Sequence, residues 1–261
     1  MFANRTTYKP RLTVAPQQSL MDVVRSSTFP LPGEAEFPGL PATPNALLRM
    51  ELWLSSFAPD LQEVTDIIRN DIGLTSQVLR LAAREIKESP DKVIGISEIV
   101  ILVGVEKLKA LAARTPSLSV HLASQAASRA CERFWTHSRL TALIAEELAY
   151  QFFDVNLEEA YLAGLFFRLD ELPSLLGWPT QDSDTKDSRQ LGTRMAKAWG
   201  FPRDLVAVIG GDPQLCHTRT ACALLDIARD ADLWASRLES LAARESKSAH
   251  PKSHAYRLGI G

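Results

Sequence analysis

The run SRLTALIAEELAYQFF, residues 138–153, decides the fold class. Leu140, Leu143, Ile144 and Leu148 recur at three- and four-residue intervals, and Phe152 and Phe153 extend the series. That spacing is the 3.6-residue period of an amphipathic helix, with these six side chains predicted on its buried side.

The same rhythm holds outward in both directions. Upstream, PNALLRMELWLSSF (44–57) carries Pro44 in a first turn behind Thr43 as N-cap, and Leu47, Leu48, Leu52 and Trp53 on one face. DLQEVTDIIRND (60–71), capped by Asp60, places Leu61, Val64, Ile67 and Ile68 together, and LTSQVLRLAAREIKE (74–88) does so with Leu74, Val78, Leu81, Ala82 and Ile86. SPDKVIG (89–95) reads as a turn. Ser97 is expected to cap ISEIVILVG, and Gly104 to separate it from VEKLKALAAR (105–114). Downstream, Asn156 opens NLEEAYLAGLFFRL with Glu159 at capping-box spacing, and the helix is expected to end at Pro173. A polar loop is predicted at 179–188, helices around 189–199 and 202–209, a turn at Gly210-Gly211, and a last helix over about 214–240. No apolar–polar alternation of strand length and no repeat is present. The prediction is all-α: a single multi-helix bundle over residues 29–240, with flexible tails at 1–28 and 241–261. FPLPGEAEFPGLPATP (29–44), with five prolines, is an extended lead-in.

Composition narrows the function classes. The chain has 261 residues, 46% of them apolar and 23% charged, enough to bury a core without staples. Cys131, Cys216 and Cys222 have no C-x-x-C spacing, which points to a reducing compartment. The N-terminus lacks a signal-like apolar core, and the longest apolar run, IVILVGV (99–105), is far below the ~20 residues that span a bilayer. The expected location is cytoplasmic, with no membrane partner. Net charge is −2 but unevenly placed: residues 1–28 and 243–261 are each +3, leaving −8 between them. An acidic body repels a phosphate backbone, so no nucleic-acid partner is expected.

No catalytic constellation is visible. None of His121, His137, His217, His250 and His254 has metal-ligand spacing to another His or carboxylate. There is no G-x-S-x-G elbow, and no cysteine sits in an electropositive context. Cys216-His217 point about 100° apart on a helix. Gly210-Gly211 precedes Asp-Pro and forms no phosphate cradle. Lys107 and Lys109, offset by Glu106, read as a solvated face. His137, after the aromatic pair Phe134-Trp135, reads either as a side chain satisfying a backbone group at a helix start or as the remaining ligand of a former site.

In order and spacing, six segments resemble the HDOD domain family, a non-catalytic branch related to metal-dependent HD phosphohydrolases. They are GLPATPNALLRM (39–50), DLQEVTDIIRNDIGLTSQVLRLA (60–82, with Asp71 kept and Ile72 where Pro is usual), ISEIVILVGVEKLKAL (96–111), FWTHSRLTALIAEELA (134–149), LEEAYLAGLFFRLDEL (157–172) and WGFPRDLVAVI (199–209). The resemblance spans about 29–235. Where HD-type relatives carry His-Asp, this chain has Phe167-Arg168 after Gly164-Leu165-Phe166, and Gly210-Gly211 stands where a His pair is often found. Phenylalanine offers no lone pair and arginine repels a divalent cation. Asp170, two residues on, faces elsewhere. The segment between Pro173 and Arg189 is shorter and more polar than in relatives. The resemblance therefore implies no catalytic residues, no metal and no cofactor. It implies a cytoplasmic regulatory module that contacts an unidentified protein partner in signalling. Relatives are often joined to receiver or cyclic-dinucleotide domains; this sequence shows neither, so action in trans is expected. The expected contact surface is a concave, partly apolar pocket at the former site, formed by His137, Phe166, Phe167 and Arg168. A nucleotide or second-messenger sensor without turnover is the alternative, followed by a degenerate phosphohydrolase.

Overall fold

A computed structural model of the chain describes residues 37–85, 95–120, 124–178 and 188–248. The expected flexible segment 1–28, the turn at 89–94, the loop at 179–187, and His121, His250 and His254 lie outside the described residues. The helices are α1 (Pro44–Leu54), α2 (Leu61–Arg69), α3 (Ile72–Glu85), α4 (Ile96–Val103), α5 (Val105–Arg114), α6 (Gln125–Ala149), α7 (Leu157–Phe166), the single turn α8 (Leu172–Leu175), α9 (Ser188–Ala198), α10 (Arg203–Gly210) and α11 (Arg219–Ser248). Short 3₁₀ turns occupy Leu118–Val120, Leu169–Glu171 and Pro213–Leu215. Among the described residues the fold is all-α; the β pairing present is an isolated parallel bridge between Ala42 and Ser117.

The lead-in docks before the first helix starts. Ala42 N–H donates to Pro116 O at 2.9 Å, and Leu118 N–H donates to Ala42 O at 2.8 Å. Asp71, 1% exposed, takes both the N–H and the hydroxyl of Thr43 on Oδ2, at 2.9 and 2.7 Å, and the N–H of Leu74 on Oδ1 at 3.0 Å. One carboxylate thus fixes the entry to α1 and caps α3. Gly73 permits this docking: a Cβ there would lie 2.0 Å from Pro41 O. Behind it, the wholly buried Arg80 reaches Gln77 Oε1 at 3.3 Å and stacks over Trp199 at 5.3 Å, while Gln77 Nε2 donates to Leu40 O.

α1 packs on α2 and α5, and α4 on α2 and α3. Val64, Ile67 and Ile68 of α2 are buried as expected, each stabilising the fold by about 1.5–3 kcal/mol. Asp60 caps this helix through the N–H groups of Gln62 and Glu63. The face of α1 is a correction. Ala46, Met50 and Leu54 point inward, whereas Leu48 and Leu52 are exposed. Leu47 and Trp53 are partly buried against the core, and Thr43, held by Asp71, stands at the start of the helix. Ser97 does not cap α4. It lies within that helix behind Gly95, and the first N–H, from Ile96, is satisfied by Glu158 Oε1 of α7 at 3.3 Å.

α6 packs against α7 and α11, and its face is a second correction. Cys131, Phe134, Trp135, His137, Ser138, Thr141, Ala142, Ala145 and Ala149 are buried; Leu143 is exposed, and Phe152 and Phe153 lie beyond the helix in the open. The reason is Gly164. A Cβ on it would sit 2.8 Å from Thr141 O and 2.9 Å from both Ala142 Cα and Ala145 Cβ. Two backbones that close together admit only small residues between them, so the large side chains move to the rim. A cluster of Arg69 with Glu146 (2.8 and 2.9 Å) and Glu158 (3.4 Å), the guanidinium 4.2 Å over the Tyr161 ring, joins α2 to this pair.

Two ends differ from expectation. α7 stops at Phe166, and Pro173 sits in the first turn of α8. α11 starts at Arg219 and runs on to Ser248, so residues 241–248, expected in a flexible tail, are helical.

Candidate functional site

Ser124 caps α6 by accepting from Ala127 N–H at 3.1 Å, which places His137 near the middle of the helix and not at its start. There its backbone is satisfied within the helix, and the imidazole turns to α11 instead of to a backbone group. His137 Nε2 lies 2.9 Å from Asp232 Oδ1, and Nδ1 lies 3.1 Å from Glu239 Oε2. Asp232 and Glu239 are seven residues apart, two turns along one helix face. An ionised carboxylate offers acceptors only, so this geometry favours the imidazolium form, with hydrogen on both ring nitrogens. The hydrogen bond to Asp232 raises the His137 pKa above its ordinary value; burial opposes this, and Glu239 adds to it.

Arg168 completes the cluster from the end of α7. Its Nε donates to Asp232 Oδ1 at 2.6 Å and its Nη2 to Oδ2 at 2.9 Å, a two-bond fork, with Glu171 at 3.5 Å from Nη1. Burial alone would push the Asp232 carboxyl up, but the hydrogen bonds from His137 and Arg168 bring it down to about 2. Asp232, Glu239 and Glu171 thus surround His137 and Arg168, tying α6 and the turn after α7 to α11.

The neighbouring side chains fill the space around this cluster. Phe166 is 0% exposed, its ring 5.0 Å from that of Phe201, which in turn lies 5.7 Å from Trp199. Phe167 is 5% exposed and covered by the Arg189 guanidinium, 4.6 Å over its ring, while Arg189 Nη1 donates to Phe167 O at 2.6 Å. Arg189 also stands 3.8 Å from the buried Asp170. The structure thus brings His137 and Arg168 together and withdraws both phenylalanines into the core. Phe166 and Phe167 line no open apolar pocket, because aromatic packing and Arg189 occupy the volume.

The residues do not fit a divalent metal. Both imidazole nitrogens and both Asp232 oxygens are already bonded, and Arg168 sits where added positive charge would be repelled. Among the described residues, no group of three or more His, Cys, Asp or Glu is arranged to hold a metal ion. Sequence reading found His137 and Arg168 but missed Asp232 and Glu239. The available signal was two acids seven apart on a helix face that also carries the buried Ala228 and Ala235.

The HDOD domain profile matches residues 40–181, more than half of the sequence. The chain belongs to the HDOD domain family. The match begins at the docked Leu40 and covers α1 to α8, and so includes His137 and Arg168 but not their α11 partners. No curated protein matches the sequence. Among solved structures, this HDOD chain is similar to the MmoQ response regulator of Methylococcus capsulatus str. Bath, with a TM-score of 0.60 at 19% identity over 78% of this chain and 88% of that one. It is also similar to a virulence factor, cj0248, of Campylobacter jejuni subsp. jejuni, with a TM-score of 0.55 at 13% identity over 87% and 90%. At such identities the likeness is one of fold. Among the described residues no helix is long and apolar enough to cross a membrane.

Proposed function

We propose that this HDOD chain is a non-catalytic regulatory module that acts in signalling by binding another protein, the position of the HD metal centre having become an ion-pair lock between α6, α7 and α11. The observation that carries this reading is the Arg168 fork on Asp232 beside a doubly bonded His137. Such a cluster spends its polar groups on holding helices together and leaves none to activate water. The neighbour named as a response regulator supports a place in signalling. With Phe166 and Phe167 buried, the part of this region open to a partner is its rim, Arg168 and Glu239.

The test has two arms. The full chain, incubated with manganese, iron or zinc, is assayed for hydrolysis of nucleotides and cyclic dinucleotides and for bound metal; no turnover and no stoichiometric metal are expected. Metal-dependent hydrolysis abolished by Asp232→Asn would sink the non-catalytic reading. In the second arm, a protein partner isolated by cross-linking is expected to lose affinity with Glu239→Lys. Unchanged affinity would move the contact off this rim.

A further inference from the structure

The second half of α11 lies on the surface. The buried side of the helix, Ala221, Leu224, Leu225, Ile227, Ala228, Ala231 and Ala235, ends at Ala235, and every residue from Arg237 to Glu245 is exposed. That exposed half is not polar all round. Trp234, Leu238 and Leu241, spaced four and three, are 49%, 47% and 54% exposed and form one stripe, with Leu233 beside it. Charges of both signs run the length of α11, but along one edge of the stripe Asp226 and Asp230 come first and Arg237 and Arg244 follow, with Asp230, Arg237 and Arg244 at intervals of seven.

We infer that this stripe is the interface of a two-fold homodimer in which α11 pairs antiparallel with α11 of a second copy. The charge order selects the occupant. An antiparallel copy sets Asp230 of each chain against Arg244 of the other, twice by symmetry, and stacks Trp234 of each on Leu238 of the other. In a parallel two-fold pair this edge would lie against the opposite edge of the partner, and the Asp230–Arg244 pairs would not form. Arg237 falls near the axis, where its two copies repel, and each lies over its own Trp234 ring at 5.3 Å. The apolar stripe is on the order of a few hundred Å². A standard interface takes about 800 Å² from each partner. The dimer is accordingly weak and concentration-dependent, and it does not depend on the proposed regulatory reading.

Sedimentation of the full chain over a micromolar concentration series tests this, with thermal melts to show that each variant is folded. A concentration-dependent dimer is expected. Leu238→Asp, at an exposed position, abolishes it, and Arg244→Asp, which makes two attractive pairs repulsive, weakens it about tenfold. The double variant Asp230→Arg with Arg244→Asp restores it. A monomer throughout the series overturns the proposal, including one whose Trp234 is shielded by the chain's own residues 249–261. So does a dimer indifferent to Leu238→Asp, and failure of the charge swap to rescue overturns the antiparallel arrangement.

Discussion

Arg168 and His137 meet on a single atom, Oδ1 of Asp232, which accepts from Arg168 Nε at 2.6 Å and from His137 Nε2 at 2.9 Å. A cation from α6 and one from the turn after α7 converge on one anion of α11, so the protonation of His137 is coupled to how firmly α11 is held.

The first prediction follows from sign. His137 has its folded pKa raised above the ordinary 6.5, so its contribution to stability is complete below pH 6.5 and is lost as pH rises through the folded value. Asp232 is depressed from 3.8 to about 2, so its contribution is present above 3.8 and is lost as pH falls towards 2. Urea unfolding is expected to give greatest stability between these limits, and His137→Gln is expected to flatten the alkaline decline. An identical decline in that variant would show that another group titrates.

Removing the shared anion should be worse than removing either cation. Asp232→Asn leaves a guanidinium and an imidazolium facing each other, partly buried, and is expected to cost about 2–4 kcal/mol. It should also lower the His137 pKa, read from the imidazole proton shifts in NMR. An unmoved titration would contradict the assigned pairing.

Gly164→Ala inserts a methyl group 2.8 Å from Thr141 O and 2.9 Å from Ala142 Cα. Backbone cannot move aside as a flexible side chain can, so a loss of about 1–3 kcal/mol is expected, and more for Gly164→Val. Thermal unfolding measures it; wild-type stability in Gly164→Val would mean that α6 and α7 are further apart than described.

Asp71→Ala removes the cap of α3 and leaves two partly buried donors of Thr43 without their acceptor. A loss of about 2–3 kcal/mol is expected in denaturant titration. Asp71→Asn, which keeps an acceptor oxygen, should lose less. Equal losses would show that the charge matters and the acceptor geometry does not.

Burial pushes the Cys216 thiol up to about 11, with Cys222 adding to the shift. Only the thiolate is alkylated, so near neutral pH Cys216 should react about 100-fold more slowly than an ordinary cysteine. The exposed Cys222 should be labelled first. Peptide mapping after a short pulse of iodoacetamide decides it, and faster labelling at Cys216 would refute the order.

Helix existence was legible because 3.6-residue spacing survives without tertiary knowledge, as Val64, Ile67 and Ile68 illustrate. Helix facing was legible only where large apolar residues also do the packing. In α6 the buried face is made of Thr141, Ala142 and Ala145, chosen by a glycine on another helix, and nothing local in SRLTALIAEELA reveals that. The site divides the same way. His137 and Arg168 stand out beside the motif they interrupt. Glu239 and Asp232, which complete them, lie 102 and 95 residues beyond His137 and look like ordinary surface acids. Phe166 and Phe167 misled in the opposite sense: their position near a former site suggested exposure, while their apolar rings had already found a core.

The bridge at Ala42 has a mechanical consequence. Its N–H and its C=O are both committed, to Pro116 and Leu118, so the peptide groups before and after Ala42 are both held. Traction on the chain ahead of Leu40 would be borne there in shear before it reached α1, and would be passed to the connection between α5 and α6.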